Sequence, residues 1–446
     1  MTYSATIINA LVHFAKMIKK LLSKLVEGDA GEVFKAMATL AMGTGAARLI
    51  GIASIPVLTR LFTPADYGAL SVYSAMVLIL APLLSLRYAS AIPLPRNEGT
   101  ALNILTLSFF LAVMNSLLLT LILWFAAPIL FVWLSIDVLV PWWWLVVIGA
   151  FWASAFEALS MWATRQKAYR PMAKTQAVQS ALSEFIKIIL GMLAVRPLGL
   201  LLGHFAGASS GAIIYILMYR RLYLARKWQV TFSRMKSVAV YYIEYPTYNL
   251  MSQALLIFSI QAPALLASAF YGGDIAGQLG LALMAVALPA NLIGDTMSRA
   301  FYAEISAIGS SKRKLSLAIT RSVILRLAIL SVAPALIIYL FGEDLFSLVF
   351  GPEWRMAGSF SEYLSIYLFF QLAQKPVTYL LYVFNGQRAL LYLNLQRALL
   401  VVVIFIVGKE LELNATLTVF LYSLGMSLHY FACICYAFTF VRRRSD

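Results

Sequence analysis

The residues of this sequence with the clearest chemical potential are basic side chains inside long apolar segments. Seven positions are of this kind: Arg48, Arg87, Lys187, Arg299, Arg326, Lys375 and Arg397. A charge at the centre of a membrane span costs about 2.5 to 3.5 kcal/mol on insertion scales. Arg and Lys bind phosphate through charge-assisted hydrogen bonds. Such residues therefore favour a hydrated interior that suits an anionic headgroup.

The depth of these charges differs along the predicted spans. Arg48 lies well inside its segment, so a water-filled interior is favoured for it. Arg87, Arg299 and Lys375 lie nearer the predicted cytoplasmic ends, where snorkelling to the interface is the alternative interpretation. Acidic residues are fewer in the same segments, namely Glu157, Glu184, Asp295 and Glu244.

Neutral polar residues recur at three- and four-residue spacing in the fifth predicted span, around Glu184 and Lys187. We expect these two charges to neutralise each other. The polar stripe itself must face protein or water rather than lipid. The second half of the chain has similar polar positions, so we expect a hydrated cavity with a positive excess between two lobes. The polar residues predicted to line it are Gln179, Ser183, Asn249, Gln253 and Gln371.

The sequence has no pattern typical of catalysis. It contains no Gly-rich loop followed by Lys, no His pair at metal-ligand spacing and no paired acidic residues in a loop. Cys433 and Cys435 are two residues apart on a predicted helix and point to different sides, so neither a disulfide nor a metal pair is expected. We therefore expect no enzymatic activity, no metal and no cofactor.

Composition defines the elements that must position these residues. Of 446 residues, 62% are hydrophobic and only 12% are charged, and the mean hydropathy is +0.84. A span needs about 20 apolar residues, and the sequence holds about twelve such segments. The predicted fold class is all-α, a polytopic membrane protein with about 12 transmembrane helices in two six-helix lobes around a central cavity.

The chain divides into five predicted parts. They are an amphipathic leader (1–33), an N-terminal lobe (34–222), a basic linker (223–240), a C-terminal lobe (241–440) and a basic tail (441–446). Lysines on the leader suit anionic membrane lipids; a solvated basic segment is the alternative. The first two spans are predicted at 34–62 and 66–93, and a capping box at Thr63 to Asp66 is expected to begin the second.

The net charge of +16 is distributed along the chain rather than on one soluble face, which argues against a nucleic-acid partner. Basic residues concentrate in alternate breaks between spans. By the positive-inside rule both termini are cytoplasmic. The leader, the linker and the tail then lie on the same side of the membrane.

Two further patterns concern packing between helices. Asp66, Gly68 and Pro82 in the second span are echoed by Asp274, Gly277 and Pro289 in the eighth, as parallel repeats of six spans would be. The sixth span has a glycine at every fourth position (199, 203, 207 and 211), which predicts close approach of another helix.

Several motifs resemble one family of membrane proteins. They are residues 58–68 (Leu-Thr-Arg-Leu-Phe-Thr-Pro-Ala-Asp-Tyr-Gly), Leu86-Arg87-Tyr88 and 91–95 (Ala-Ile-Pro-Leu-Pro), with later similarities around Tyr245-Pro246, at 289–294 and at 341–358. Together they resemble the polysaccharide-transporter (Wzx-like) flippases of the multidrug, oligosaccharidyl-lipid and polysaccharide exporter superfamily. One departure is Ala89, where members often have an acidic residue, so Arg87 is expected to be freer to meet substrate.

The resemblance implies translocation of undecaprenyl-diphosphate-linked oligosaccharide to the outer leaflet of a bacterial inner (plasma) membrane, for O-antigen, capsule or exopolysaccharide synthesis. On this interpretation Arg48, Arg87, Arg299 and Lys375 hold the diphosphate or acidic sugars, and Asp295 or Glu157 couples an ion. The partners would be the lipid-linked substrate, membrane lipids and the pathway's polymerase and glycosyltransferases. The alternatives are a multidrug or small-molecule exporter of the same superfamily, a membrane-bound polymerase or glycosyltransferase, and a non-transporting component of polysaccharide assembly.

Overall fold

A computed structural model describes residues 45, 47–308, 312–384 and 386–443 of the chain. The predicted leader, the start of the first span and the last three residues lie outside the described residues. Within the described part all regular secondary structure is helical.

The N-terminal lobe consists of six long helices. They are α1 (47–61), α2 (Pro64–Leu84), α3 (Glu98–Trp133), α4 (Trp143–Arg165), α5 (Tyr169–Met192) and α6 (Leu198–Arg226). A short helix, α7 (Phe232–Tyr241), connects this lobe to the next.

The C-terminal lobe repeats the arrangement after a π-helical turn at Tyr245–Asn249. Its helices are α8 (Leu250–Tyr271), α9 (Gly273–Pro289), α10 (Asp295–Ile308), α11 (Arg313–Phe350), α12 (Arg355–Val383), α13 (Gln387–Glu410) and α14 (Ala415–Arg443). A second π turn, Ala290–Gly294, joins α9 and α10, so these two form one crossing.

The described helices make an all-α polytopic membrane protein, as predicted. Eight of them are long and apolar enough to cross a membrane by length and hydropathy. The others that complete the two groups of six are α1, α5, the α9–α10 pair and α12. About twelve crossings result.

The second span is shorter than predicted. We expected a helix over 66–93, but α2 ends at Leu84. Leu86 and Arg87 adopt left-handed backbone conformations, with φ of 48° and 61°. The amide of Arg87 donates to the carbonyl of Pro82, and that of Leu86 to the carbonyl of Leu83. This is the hydrogen-bond pattern of a Schellman cap without its usual glycine, which hydropathy alone does not reveal.

The turn between α1 and α2 has the predicted capping box. The Thr63 hydroxyl accepts from the amide of Asp66 at 3.3 Å, and the Asp66 carboxylate accepts from the amide of Thr63 at 2.9 Å. Because the two groups satisfy each other's exposed amides, α2 begins directly after α1 ends.

The glycine series of the sixth span allows close approach of another helix, as predicted, and that helix is α5. A Cβ atom on Gly203 would lie 2.3 Å from Lys187 Cγ, and one on Gly207 would lie 2.9 Å from Ser183 Cβ. These distances are too short for any side chain. The glycines therefore allow α5 and α6 to pack with their backbones close together.

The two lobes meet where α2 of the first packs on α8 and α9 of the second. At this crossing a Cβ on Gly68 would lie 2.0 Å from the carbonyl oxygen of Gly273, and one on Gly277 would lie 1.8 Å from that of Pro64. Gly68 and Gly277 are the glycines of the predicted repeat, and they lie in one interface between the lobes.

Trp354 closes the same end of the molecule. Its side chain is fully buried, its indole Nε1 donates to the carbonyl of Thr59 at 3.1 Å, and its ring meets the edge of Tyr67 with centroids 4.9 Å apart. Nearby, the hydroxyl of Ser268 donates to the carbonyl of Leu134 in the other lobe at 2.5 Å. We call this set of contacts the closed end.

Candidate functional site

A cavity of about 750 Å³ lies in the C-terminal lobe and against α2 of the N-terminal lobe. Helices α8, α9, α10, α12, α13 and α14 provide the remaining walls. Its lining is mixed, with apolar side chains and neutral polar or basic ones. Besides several tyrosines, the polar and basic members are Ser71, Ser74, Gln261, Asn291, Ser298, Gln371, Gln374, Lys375, Thr378, Asn394, Arg397 and His429.

Two of the predicted binding residues converge on the π turn at Ala290–Gly294. The Arg48 guanidinium donates to the carbonyl oxygen of Asn291 at 3.0 Å. Lys375 lies against the other end of the turn, because a Cβ on Gly294 would lie 2.9 Å from Lys375 Cδ. π turns leave backbone carbonyls outside the regular helical ladder. Lys375 lines the cavity, whereas Arg48 contacts the backbone of the lining residue Asn291 and is not itself part of the lining.

Arg87 is placed in a different cluster. Its Nη1 contacts the Glu157 carboxylate at 2.6 Å and its Nε donates to Asn249 Oδ1 at 3.2 Å. The expectation that Ala89 leaves Arg87 free needs correction, since Glu157 of α4 supplies a carboxylate from another helix. Asn249 belongs to the first residues of the second half, so this cluster also joins the two lobes.

The predicted neutral polar residues do not lie together. Gln371 lines the cavity. Gln179 and Ser183 instead lie in the α5–α6 interface, next to Gly211 and Gly207 respectively. Gln253 is half-buried on α8. Their common polarity predicted burial against protein, but the helix face on which each residue lies decides what it contacts.

Two predicted residues, Asp295 and Arg299, lie on α10 just after the π turn. Their side chains are outside the described part of the structure. The role predicted for each of them therefore stays a prediction.

Glu184 and Lys187 neutralise each other, as predicted. Lys187 Nζ lies 2.8 Å from Glu184 Oε1, and both side chains are almost completely buried. The pair lies beside the α5–α6 interface, where it stabilises packing within the N-terminal lobe.

Arg397 lines the cavity although it is not one of the four predicted binding residues. Tyr367, Tyr422 and Tyr430 line the same region. A sequence signal for Arg397 exists, because it is the single basic residue near the middle of a mostly apolar helix. Its position relative to the tyrosines depends on how α12, α13 and α14 pack, which that signal does not contain.

The electrostatic character of the cavity is positive. Its described lining includes Lys375 and Arg397 and no carboxylate. In the described part of the chain no cluster of three or more His, Cys, Asp or Glu residues has the geometry to hold a metal ion. Cys433 is buried, Cys435 is exposed, and neither forms a disulfide. The arrangement suits a ligand with an anionic group and several hydroxyls.

The fold is that of transporters of the MOP superfamily. The chain is similar to an inward-facing multidrug resistance MATE family transporter of that superfamily, with a TM-score of 0.68, 12% identity and coverage of 92% of this chain and 100% of the other. The chain is also similar to an outward-facing MATE family transporter, with a TM-score of 0.60 and 14% identity. The match covers 94% of this chain and 96% of the other.

The chain is also similar to the lipid II flippase MurJ in an inward closed conformation, with a TM-score of 0.67 and 11% identity. The match covers 90% of this chain and 89% of MurJ. No curated protein sequence matches the chain. The model of the polysaccharide biosynthesis protein family matches residues 57–359. The chain belongs to this family.

Proposed function

We propose that the protein is a flippase that moves polyprenyl-diphosphate-linked oligosaccharide from the cytoplasmic to the outer leaflet of a bacterial inner membrane. The observation that carries this proposal is the cavity. It is large, its lining has many neutral hydrogen-bonding groups, and its described charges are basic. A diphosphate needs basic partners and a glycan needs neutral ones.

Membership of the polysaccharide biosynthesis protein family supports a substrate from that chemistry. The similarity to MurJ, which is described as a lipid II flippase, supports a lipid-linked substrate for this chain as well. In the proposed arrangement Arg48, Arg87, Arg299 and Lys375 contact the diphosphate or acidic sugars while the polyprenyl tail stays in lipid. The polymerase and glycosyltransferases of the same pathway are the proposed partners.

The proposed cycle is alternating access, in which the two lobes rock against each other. The greater similarity to an inward-facing than to an outward-facing transporter supports an inward-facing state. With both termini in the cytoplasm, as we propose, the closed end faces outward. Glu157 or Asp295 is the proposed site of ion coupling.

The test uses purified protein in proteoliposomes that hold a fluorescent polyprenyl-diphosphate oligosaccharide. A membrane-impermeant quencher reports how much label reaches the outer leaflet. We expect protein-dependent movement of this substrate and none of a fluorescent organic cation, because a cation exporter needs carboxylates where this cavity has basic groups. Transport of the cation alone would instead establish a multidrug exporter, and movement of neither would contradict transport.

A further inference from the structure

Arg397 lies deep in the membrane-spanning part of α13. It is ten residues from the start of the helix at Gln387 and thirteen from its end at Glu410. At about 1.5 Å per residue, the nearer end is about 15 Å away. An arginine side chain cannot snorkel over that distance, so its charge must be balanced inside the protein.

The described residues around Arg397 do not balance its charge. Its guanidinium carbon lies 5.6 Å from the centre of the Tyr430 ring. Its Nε is buried and has no hydrogen-bond partner. Among the described residues no carboxylate forms an ion pair with it. A cation–π contact uses the face of the guanidinium and leaves its five N–H donors available in the plane.

Other polar atoms in the same cavity also lack partners. They are Gln371 Oε1, His429 Nδ1 and Ser298 Oγ, all buried. Buried polar groups are almost always hydrogen-bonded, so several unsatisfied atoms on residues that line one cavity call for a common explanation. A donor-rich guanidinium, an amide oxygen and a hydroxyl in the lining of one cavity match a ligand that has both anionic oxygens and hydroxyl groups.

The aromatic side chains around Arg397 fit the same ligand. The ring centres of Tyr367 and Tyr430 are 6.2 Å apart, and those of Tyr367 and Tyr422 are 6.0 Å apart. These three side chains pack on one another and line the cavity, and the C–H faces of a pyranose pack on aromatic rings. A cavity of about 750 Å³ is large enough for a glycosyl phosphate, since ligand pockets usually have volumes of roughly 300 to 1,000 Å³.

We infer that the C-terminal lobe contains a glycosyl-phosphate site in which Arg397 binds the phosphate and Gln371 and the tyrosines around Tyr430 bind the adjoining sugar. The inference rests on the proposed function, because it names the part of the substrate that this lobe receives. Arg397 adds a positive charge to the cavity from α13, and none of the four predicted binding residues lies on that helix. Lys375, on α12, lies one turn after Gln371 and can contact the same ligand.

The test measures binding to the purified full-length protein by isothermal titration calorimetry. The probes are a geranyl-diphosphate-linked disaccharide, inorganic pyrophosphate and phosphatidylglycerol in mixed micelles. The variants are Arg397→Gln, Arg397→Lys and Arg326→Gln. Arg326 is the matched control because it is an exposed arginine on α11 that does not line the cavity.

We expect Arg397→Gln to raise the Kd for the glycosyl diphosphate at least tenfold. Arg397→Lys should restore part of the affinity, and Arg326→Gln should match the original protein. Pyrophosphate should compete weakly with the glycosyl diphosphate, because it lacks the sugar. Phosphatidylglycerol should not compete with it. A folded Arg397→Gln variant with affinity within twofold of the original would overturn the site. Equal competition by phosphatidylglycerol would overturn it in favour of a lipid headgroup.

A second measurement keeps Arg397 in place. Asn394, one turn before it, also lines the cavity. In a chain with Asn394→Cys, Cys433→Ser and Cys435→Ser, the glycosyl diphosphate should slow modification of the new thiol by a methanethiosulfonate reagent at least fivefold. No protection at a saturating concentration would contradict the site.

The site and the proposed function fail in different ways. Binding that depends on Arg397 without movement of substrate in proteoliposomes would contradict the flippase and support the site. Movement of substrate at the same rate in Arg397→Gln and the original protein, with unchanged binding, would contradict the site and support the flippase.

Discussion

Arg48 Nη1 donates a hydrogen bond of 3.0 Å to the carbonyl oxygen of Asn291, which lies 243 residues further along the chain. The first residue belongs to the N-terminal lobe and the second to the π turn of the C-terminal lobe. The bond therefore joins the lobes beside the cavity. In the proposed cycle an anionic substrate competes with this carbonyl for the guanidinium, so substrate binding and lobe separation are linked.

The closed end depends on the absence of a side chain at Gly277. We expect Gly277→Ala to prevent its closure, because the new Cβ would lie 1.8 Å from the Pro64 carbonyl oxygen. Spin labels at Arg60 and Glu353, on the two sides of this end, should move apart by several ångströms in a pulsed electron resonance measurement. Gly51→Ala is the control, since a Cβ there meets nothing within 4 Å. An unchanged distance in Gly277→Ala would contradict this account of closure.

Trp354 stabilises the same end through one hydrogen bond. Trp354→Phe removes the bond to the Thr59 carbonyl and should lower stability by about 1 kcal/mol or somewhat more. A thermal unfolding measurement in detergent should show a reduced Tm. Trp228→Phe should leave Tm unchanged, because Trp228 is 72% exposed. Equal effects of the two substitutions would argue against a special role for Trp354.

Arg87 and Glu157 form an ion pair across two elements. Removing either partner should destabilise the protein by about 1 to 3 kcal/mol, because the other remains partly buried without its charged partner. The double variant Arg87→Gln, Glu157→Gln should lose less unfolding free energy than the two single variants lose together. Unfolding midpoints of the four proteins measure this coupling. Strict additivity would show that the pair does not act as a unit.

The α5–α6 interface should be sensitive to small increases in volume. In Gly203→Ala the new Cβ would lie 2.3 Å from Lys187 Cγ and 2.9 Å from the Ser183 carbonyl oxygen. We expect a loss of about 1 to 3 kcal/mol from overpacking, read as a lower Tm. The Gly51→Ala control should be neutral or slightly stabilising, because alanine has a higher helix propensity than glycine. A neutral Gly203→Ala would contradict close packing at this position.

The fold was largely predictable from the sequence because membrane spans have a strong signal. Hydropathy and the charged breaks between spans predicted the helices, and the Thr63 to Asp66 capping box predicted the first turn. The glycine series predicted close approach of another helix to α6, but not that this helix is α5. The end of α2 was not predictable in the same way. Leu86 and Arg87 adopt positive φ angles without glycine, so no local residue type indicates the break.

The candidate site was predictable only in part. A charged residue in a span indicates that its side chain faces protein or water, but it does not indicate which residues that side chain contacts. Lys375 and Gln371 line the cavity in the C-terminal lobe, and the binding roles predicted from their polarity stay predictions. Gln179 and Ser183 have the same polarity, but they lie in a helix interface. The partner of Arg87 also depends on tertiary structure, since Glu157 is 70 residues away.

The most direct test of the cationic cavity is the rate of substrate movement in proteoliposomes that contain the original protein, Arg48→Ala, Lys375→Ala or Arg326→Ala. We expect the rate to fall at least tenfold for Arg48→Ala and Lys375→Ala and to stay unchanged for Arg326→Ala, with equal amounts of inserted protein in each. A well-inserted Arg48→Ala variant that moves polyprenyl-diphosphate oligosaccharide at the original rate would contradict the assignment of this residue to the substrate.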